Sequence, residues 1–318
     1  MTEYAVRRIL LVFPTLIGVT IVVFMAVRFL PGDVVDQIAG DYGAASSEMR
    51  AQITKQYSLD ASIPQQYVLW VAKIARGDMG TSIISARSVR GETLQRLPTT
   101  FQLGLMAITV QLLIAIPAGM TAALRQDSRT DYVVRSFSIA LLAVPGFWLG
   151  LIAITYGYIW FGWTPPLRYH PFWEAPLLAL KSLWVPALIL GGYISAVVMR
   201  LLRSTMLEVL RQDYIRTARA KGLAERHVLW RHAARNAAIP VVTIIGLEIP
   251  NLIGGTVIME SIFSIPGMGS YLFNSIQTRD YPVVQGVVLL SALVVIVSNL
   301  VVDLSYSFID PRIRFNGR

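Results

Sequence analysis

Six stretches of this 318-residue chain are long and apolar enough to cross a bilayer, and that fixes the fold class before any motif is read. A hydrocarbon core of about 30 Å takes about 20 helical residues, since each advances about 1.5 Å and every backbone amide must find its partner inside the segment. The stretches run approximately over 9–30, 99–124, 136–163, 183–202, 239–259 and 283–308. Pro14, Pro117, Pro145, Pro186, Pro250, Gly254 and Gly255 fall inside them. Membrane helices tolerate such residues, because neighbouring helices re-satisfy the freed carbonyls. The expectation is an all-α polytopic membrane protein with six transmembrane helices. Only 15% of the residues are charged and 54% are hydrophobic, against about 25% charged in an ordinary soluble domain. Lipid is therefore the main solvent.

Charge supplies the orientation. The formal net charge is +9, and 24 of the 28 basic residues are Arg. They collect beside the apolar runs and do not interleave with aromatics on one polar face, which argues for topogenic charge and against nucleic-acid binding. With both termini inside, the inner set is Arg7 and Arg8, then Arg125, Arg129 and Arg135, then the nine bases from Arg200 to Arg235, then Arg312, Arg314 and Arg318. That places 17 of the 28 on the side where positive loops are retained. The long segment 31–98 has seven acids against seven bases and crosses freely.

The first run is too long for a signal-peptide core of about 7–15 residues and ends in Arg-Phe-Leu-Pro-Gly-Asp, with no small-x-small cleavage site, so it is expected to stay as an anchor. The resulting map has four parts: 1–30, a cytosolic segment and the first span; 31–98, a helical cap outside the membrane; 99–308, a five-helix core with a cytosolic loop at about 203–238; and 309–318, a cytosolic tail. Within the cap, Ser46 or Ser47 suits the start of a helix from Glu48 toward Tyr57, and Pro64 suits the first turn of a helix over 65–75.

The absence of cysteine excludes disulfides and thiolate chemistry. The three histidines are His170, His227 and His232, and a five-residue spacing in an α-helix puts the last two on different faces, which disfavours a metal site.

The loop between the fourth and fifth spans reads as two short helices joined at Gly222. Leu207, Leu210, Tyr214 and Ala218 recur at three- and four-residue spacing, so one face packs while Arg211, Arg216 and Arg219 stay solvated. Residues 224–236 are again helix-prone, and Pro240 marks where the fifth span begins. Gly222 permits a sharp turn between the two. On physics alone such helices also suit the surface of anionic lipid.

The residues of this loop resemble the one by which inner-membrane permeases of ATP-binding cassette importers dock their ATPases, in the form carried by the dipeptide and oligopeptide permease family. The matching residues are Tyr214-Ile215-Arg216-Thr217-Ala218-Arg219-Ala220-Lys221-Gly222-Leu223, then Arg231-His232-Ala233, Arg235-Asn236-Ala237 and Pro240. The general signature of such importers opens Glu-Ala-Ala, with Gly four residues after the last Ala. Here those positions hold Arg216, Thr217 and Ala218, and the loss of the acidic start is usual in the peptide subclass. The resemblance continues along the chain in Leu30-Pro31-Gly32-Asp33, Gly77-Asp78-Met79-Gly80-Thr81-Ser82, Pro98-Thr99-Thr100 and Pro145-Gly146-Phe147-Trp148-Leu149-Gly150. It is most specific near the end, in Glu260-Ser261-Ile262-Phe263, Pro266-Gly267-Met268-Gly269, Arg279-Asp280-Tyr281-Pro282-Val283-Val284-Gln285-Gly286, Asn299 to Asp303, and Asp310-Pro311-Arg312.

This resemblance implies the transmembrane domain of a type I importer in a bacterial or archaeal cytoplasmic (inner) membrane. It implies a second homologous permease subunit, two ATPases below and an extracytoplasmic substrate-binding protein above, with di- or oligopeptides as cargo. Related subunits carry glutathione, nickel chelates or oligosaccharides. The implied ATPase-coupling residues are Asp213, Tyr214, Arg216, Ala218, Arg219, Lys221, Gly222 and Leu223, with Arg219 or Lys221 set against a partner carboxylate. None of Lys55, Lys73, Lys181 and Lys221 lies in a G-x-x-x-x-G-K-[ST] loop, so ATP and Mg are expected in the partner subunits, and no cofactor or catalysis in this chain.

Ionisable residues within spans are costly and therefore candidates for function. Glu248, near the middle of the fifth span, either meets a substrate amine in the pathway or hydrogen-bonds within the bundle. Arg28 and Glu260 lie near outer span ends, where pairing or snorkelling suffices, and Asp303 near an inner end suits a structural role. Gly146 and Gly150 suit a close helix approach. The aromatics from Tyr156 to Trp163, with Trp173 and Trp184, suit an interfacial belt. Two rival classes are an ion-coupled secondary transporter, against which the loop and the lack of a visible inverted repeat both speak, and a membrane enzyme, for which no span carries a nucleophile–base cluster.

Overall fold

The computed structural model describes residues 2–28, 60–166 and 168–309, the side chains of 2–7, 27–28, 251 and 303–309 excepted. The helix expected over 48–57, the motifs at 30–33 and 310–312, and the side chains of Arg28 and Asp303 lie outside the described residues. In chain order the helices are α1 (Thr2–Arg28), α2 (Ile63–Ala75), α3 (Val89–Leu124), α4 (Arg129–Ala143), α5 (Gly146–Phe161), α6 (Pro176–Leu210), α7 (Asp213–Ala220), α8 (Arg235–Ile262), α9 (Met268–Gln277) and α10 (Tyr281–Ile309). Among the described residues there is no strand, only an isolated bridge between Thr81 and Ser88.

Five helical segments are long and apolar enough to span: α1, α3, α6, α8 together with the turns from Glu225 that precede it, and α10. The stretch expected as one helix over 136–163 differs: it is a pair, α4 and α5, bent by 92°, which makes a sixth span if the two are counted as one. The break falls at Val144 and Pro145, where Val144 is extended (φ −100°, ψ 122°) and Pro145 caps α5. Proline has no N–H to continue the α4 ladder and disfavours helical geometry in the residue before it.

The chain forms two compact units. One comprises residues 98–269 with the end of the chain from Val297; the other comprises 2–97 with 270–296. In the first, α6 is the central helix: 67% of its apolar stretch is buried, against a third or less in the other long helices. Its Gly191 allows α3 to cross closely, since a Cβ there would lie 2.3 Å from the Ala107 carbonyl oxygen. Gly146 and Gly150 of α5 face the C-terminal end of α8, with added Cβ atoms 3.5 Å from Met259 and 3.4 Å from the Phe263 ring. Of the aromatics read as a belt, Tyr156, Tyr158, Trp160, Phe161, Trp173 and Trp184 are exposed, whereas Trp163 is partly buried in the packed interior beside Trp184.

In the second unit α2 begins as the sequence suggests, with Pro64 in its first turn and Gln65 Oε1 accepting from the Ser62 amide at 3.2 Å. Phe24 of α1 meets Tyr67 edge-on at 5.4 Å, and the Thr20 and Tyr67 hydroxyls bond at 2.9 Å. The turn carrying the Thr81–Ser88 bridge is pinned by Asp280, which accepts from Ser82 Oγ at 2.5 Å and from the Ile83 amide at 3.2 Å. Two motifs read separately in the sequence thus form one buried joint.

Candidate functional site

The loop between α6 and α8 is seated by apolar residues and bounded by charge. Ile215 is fully buried and Ala218 nearly so. They share one cluster with Ala115, Met120 and Ala123 of α3, Met199, Leu202 and Met206 of α6, Val228 and Ala233 of the turns after Gly222, and Ala237 and Val241 of α8. One face of α7 thus packs into the helix cluster, but through Ile215 and Ala218: of the residues expected on that face, Tyr214 is exposed and Leu207 and Leu210 are only partly buried.

Gly222 ends α7 with φ +73°. Its N–H donates to Arg219 O at 2.9 Å, and the Leu223 N–H donates to Ala218 O at 3.4 Å. This is the Schellman pattern, in which a left-handed residue satisfies the last helical carbonyls. A Cβ at Gly222 would meet nothing within 4 Å. The need for glycine is therefore in the backbone, which L-residues adopt there only under strain, and not in space.

Across that turn Arg219 engages Glu225 through both arms of its fork, Nε to Oε2 at 3.1 Å and Nη2 to Oε1 at 2.6 Å. The Glu225 carboxylate lifts the Arg219 guanidinium above its ordinary range. Arg219 is thus occupied within the loop, while Lys221 and Leu223 stand exposed beside it. Arg216 lies 3.6 Å from Asp213 with both side chains open to solvent. Asn236 donates to Tyr214 Oη at 2.9 Å, and Thr205 Oγ1 to the Ala237 carbonyl at 3.2 Å, tying α7 and α6 to the start of α8. Neither tie follows from residue spacing, since Tyr214 and Asn236 are 22 residues apart and Thr205 and Ala237 are 32 apart.

The second helix of the loop differs from expectation. After one α-turn (Glu225–His227) the chain runs as a π-helix over Val228–Ala234 and passes into α8 without a break, so Pro240 lies inside the helix and does not mark its start. A π-turn bonds i to i+5 and brings five-spaced residues together: the His227 and His232 rings lie 5.7 Å apart. The α-helical spacing that would put the two rings on different faces is absent here. Among the described residues no group of three or more His, Cys or carboxylate side chains is placed to hold a metal.

A second site residue pair also escaped the sequence reading. Asp131, fully buried on α4, accepts from Arg203 of α6 through both oxygens, Nε to Oδ1 and Nη2 to Oδ2 each at 2.6 Å. The available signal was the capping pattern Ser128-x-x-Asp131, an acid retained in a loop otherwise rich in Arg.

Two family models cover the chain: the binding-protein-dependent transport system inner membrane component over residues 115–315, and the N-terminal part of such a membrane component over residues 1–104. The chain belongs to this family of binding-protein-dependent permeases. It is 40% identical to the di/tripeptide transport system permease protein DppB of Pseudomonas aeruginosa (strain UCBPP-PA14), with 99% of each chain covered. It is 38% identical to the dipeptide transport system permease protein DppB of Escherichia coli (strain K12), again over 99% of each. It is 39% identical to the oligopeptide transport system permease protein AppB of Bacillus subtilis (strain 168), over 99% of this chain and all of that one. Its fold is similar to the solved MetNI methionine ABC transporter in an inward-facing conformation, with TM-score 0.53 and 13% identity over 69% of this chain and 96% of that one.

Within this permease the loop around Gly222 lies in the main family region, as do the two acids of α8. Glu248 is half-buried on the helix and remote in sequence from the loop. Glu260 neither snorkels nor faces solvent. It is fully buried against the turn that follows α8, where a Cβ on Gly267 would sit 2.2 Å from its Oε2. Glycine at 267 makes room for that carboxylate.

Proposed function

We propose that the chain is the membrane-spanning subunit of an ATP-driven importer that receives di- or oligopeptides from an extracytoplasmic binding protein. It pairs with a second homologous permease and is driven by two ATPases that bind ATP and Mg. Both termini and the loop around Gly222 face the cytosol, residues 31–98 form a cap on the outer face, and the core is 99–308. The peptide cargo follows the naming of relatives that align over the full chain. Asp213, Tyr214, Arg216, Ala218, Arg219, Lys221, Gly222 and Leu223 form the ATPase-coupling surface, and Glu248 lies on the pathway.

The observation that carries this reading is the burial of Ile215 and Ala218 in the same cluster as α3, α6 and α8. A close-packed interior transmits displacement and does not absorb it. A push on the exposed face of α7 therefore reaches three spans at once. The subunit's work is mechanical: it converts a push from below into a change of access across the membrane. The test is uptake of a labelled dipeptide by proteoliposomes that contain this subunit with its genomic neighbours. Uptake should require ATP and the binding protein. Uptake driven by a proton or sodium gradient without ATP would replace this reading with the ion-coupled one.

A further inference from the structure

The bent third crossing needs a mechanical link to the loop that is pushed, and one polar contact is built for it. We infer that Asp131 and Arg203 form the strut that passes movement of α7 and α6 on to α4 and hence, through the 92° bend, to α5. Both are positioning residues for transport, and the inference rests on the function proposed above.

Four observations support it. The contact is a two-pronged fork, with both N–O distances 2.6 Å, so it fixes the relative direction of two helices as well as their separation. Its acid is buried: the Asp131 side chain is 1% exposed and that of Arg203 20%. Taking the Asp131 charge out of water is costly, and an apolar pair of similar volume often holds helices as well; what the fork adds is a fixed direction.

The third observation is the seating of Asp131. The Asp127 amide donates to its Oδ2 at 3.0 Å, and its own amide donates to Ser128 Oγ at 3.4 Å. The loop joining α3 to α4 is therefore wrapped around the same carboxylate, with Asp127 held at φ +61°. Fourth, Arg203 stands on α6 between Leu202 and Met206, which pack on Ile215 and Ala218 of α7. α4 meets this cluster only through the partly buried Val134, Leu141 and Leu142 at its edge. The fork adds a contact of fixed direction to that edge.

The test uses the reconstituted complex and measures peptide imported per ATP hydrolysed, alongside assembly and total ATPase rate. Asp131→Asn and Arg203→Gln should each assemble, keep hydrolysing ATP and lose roughly tenfold in that ratio, within the usual range of coupling between sites. The double variant should do no worse than either single one, because both remove the same strut. Arg203→Lys keeps the charge and loses the fork, and should show an intermediate loss. Losses that multiply in the double variant, or a ratio unchanged in all of them, would overturn the proposal. Failure of all three single variants to assemble would also overturn it, assigning the pair to folding alone. A wild-type complex that imports no peptide with ATP would instead count against the proposed function, which keeps the two failures apart.

Discussion

Two turns of this molecule are held in opposite ways. The turn around Gly222 is seated by Ile215 and Ala218 in an apolar cluster, with its ion pairs on the surface. The turn at Thr81–Ser88 is pinned by a buried carboxylate, Asp280, that reaches it from 198 residues away in sequence. Apolar seating is non-directional and tight, so the first turn is packed onto the helices beside it while its charged residues stay exposed. Buried hydrogen bonds fix geometry and are costly to leave half-made, so the second turn is locked in one shape. The first arrangement suits the coupling role proposed for that turn, and the second suits a fixed support.

The largest stability effect expected is at Ile215. Truncation to Ala should cost about 2–5 kcal/mol, as for other buried aliphatics that leave a cavity. Thermal unfolding of the detergent-solubilised subunit measures it. A loss under about 0.5 kcal/mol, typical of surface sites, would mean that α7 is not seated in the core. Next comes Asp280→Ala, which strands the buried Ser82 hydroxyl at about 1–3 kcal/mol and leaves the part-buried Ile83 amide to water. Asp280→Asn should recover part of that loss, because the remaining carbonyl still accepts, and a variant no better than Ala would break the contrast between the turns. The smallest effect is at Arg219→Ala, within about 1 kcal/mol, since Arg219 and Glu225 are both about half-exposed and water competes for the pair. That small effect should fade further in high salt; a large, salt-independent loss would mean that the surface pair holds the loop.

Much of the architecture was readable because its causes are local. Span length, the Pro64 first turn and the amphipathic pattern leading to Gly222 each depend on neighbours within a few residues. The bend at Pro145 lay within reach of the same reasoning, but the tolerance of membrane helices for proline masked it: a proline bends a crossing only where no neighbour restores its lost bond. The π-turn at 228–234 changes which residues share a face without changing composition, so the His227–His232 contact was invisible. The joints of the structure were hidden for another reason. Asp131 and Arg203 are 72 residues apart, and Ser82 and Asp280 are 198 apart. No periodicity links such positions in a single sequence. Of the two roles open to Glu260, snorkelling is ruled out by its burial, which depends on the space left by Gly267 and so shows only in the folded turn.

The central claim is that the turn at Gly222 carries work from ATP hydrolysis into the spans. Its most direct test compares two substitutions at that position in the reconstituted complex, with dipeptide uptake and ATP hydrolysis read together. Valine is strained at φ +73°, at about 1–3 kcal/mol, whereas asparagine enters the left-handed region readily. The open space around Gly222 means that bulk alone does not separate the two. Gly222→Val should leave the subunit inserted and ATP still hydrolysed while uptake collapses, and Gly222→Asn should retain most of the uptake. Equal, undiminished uptake in both variants would contradict the account.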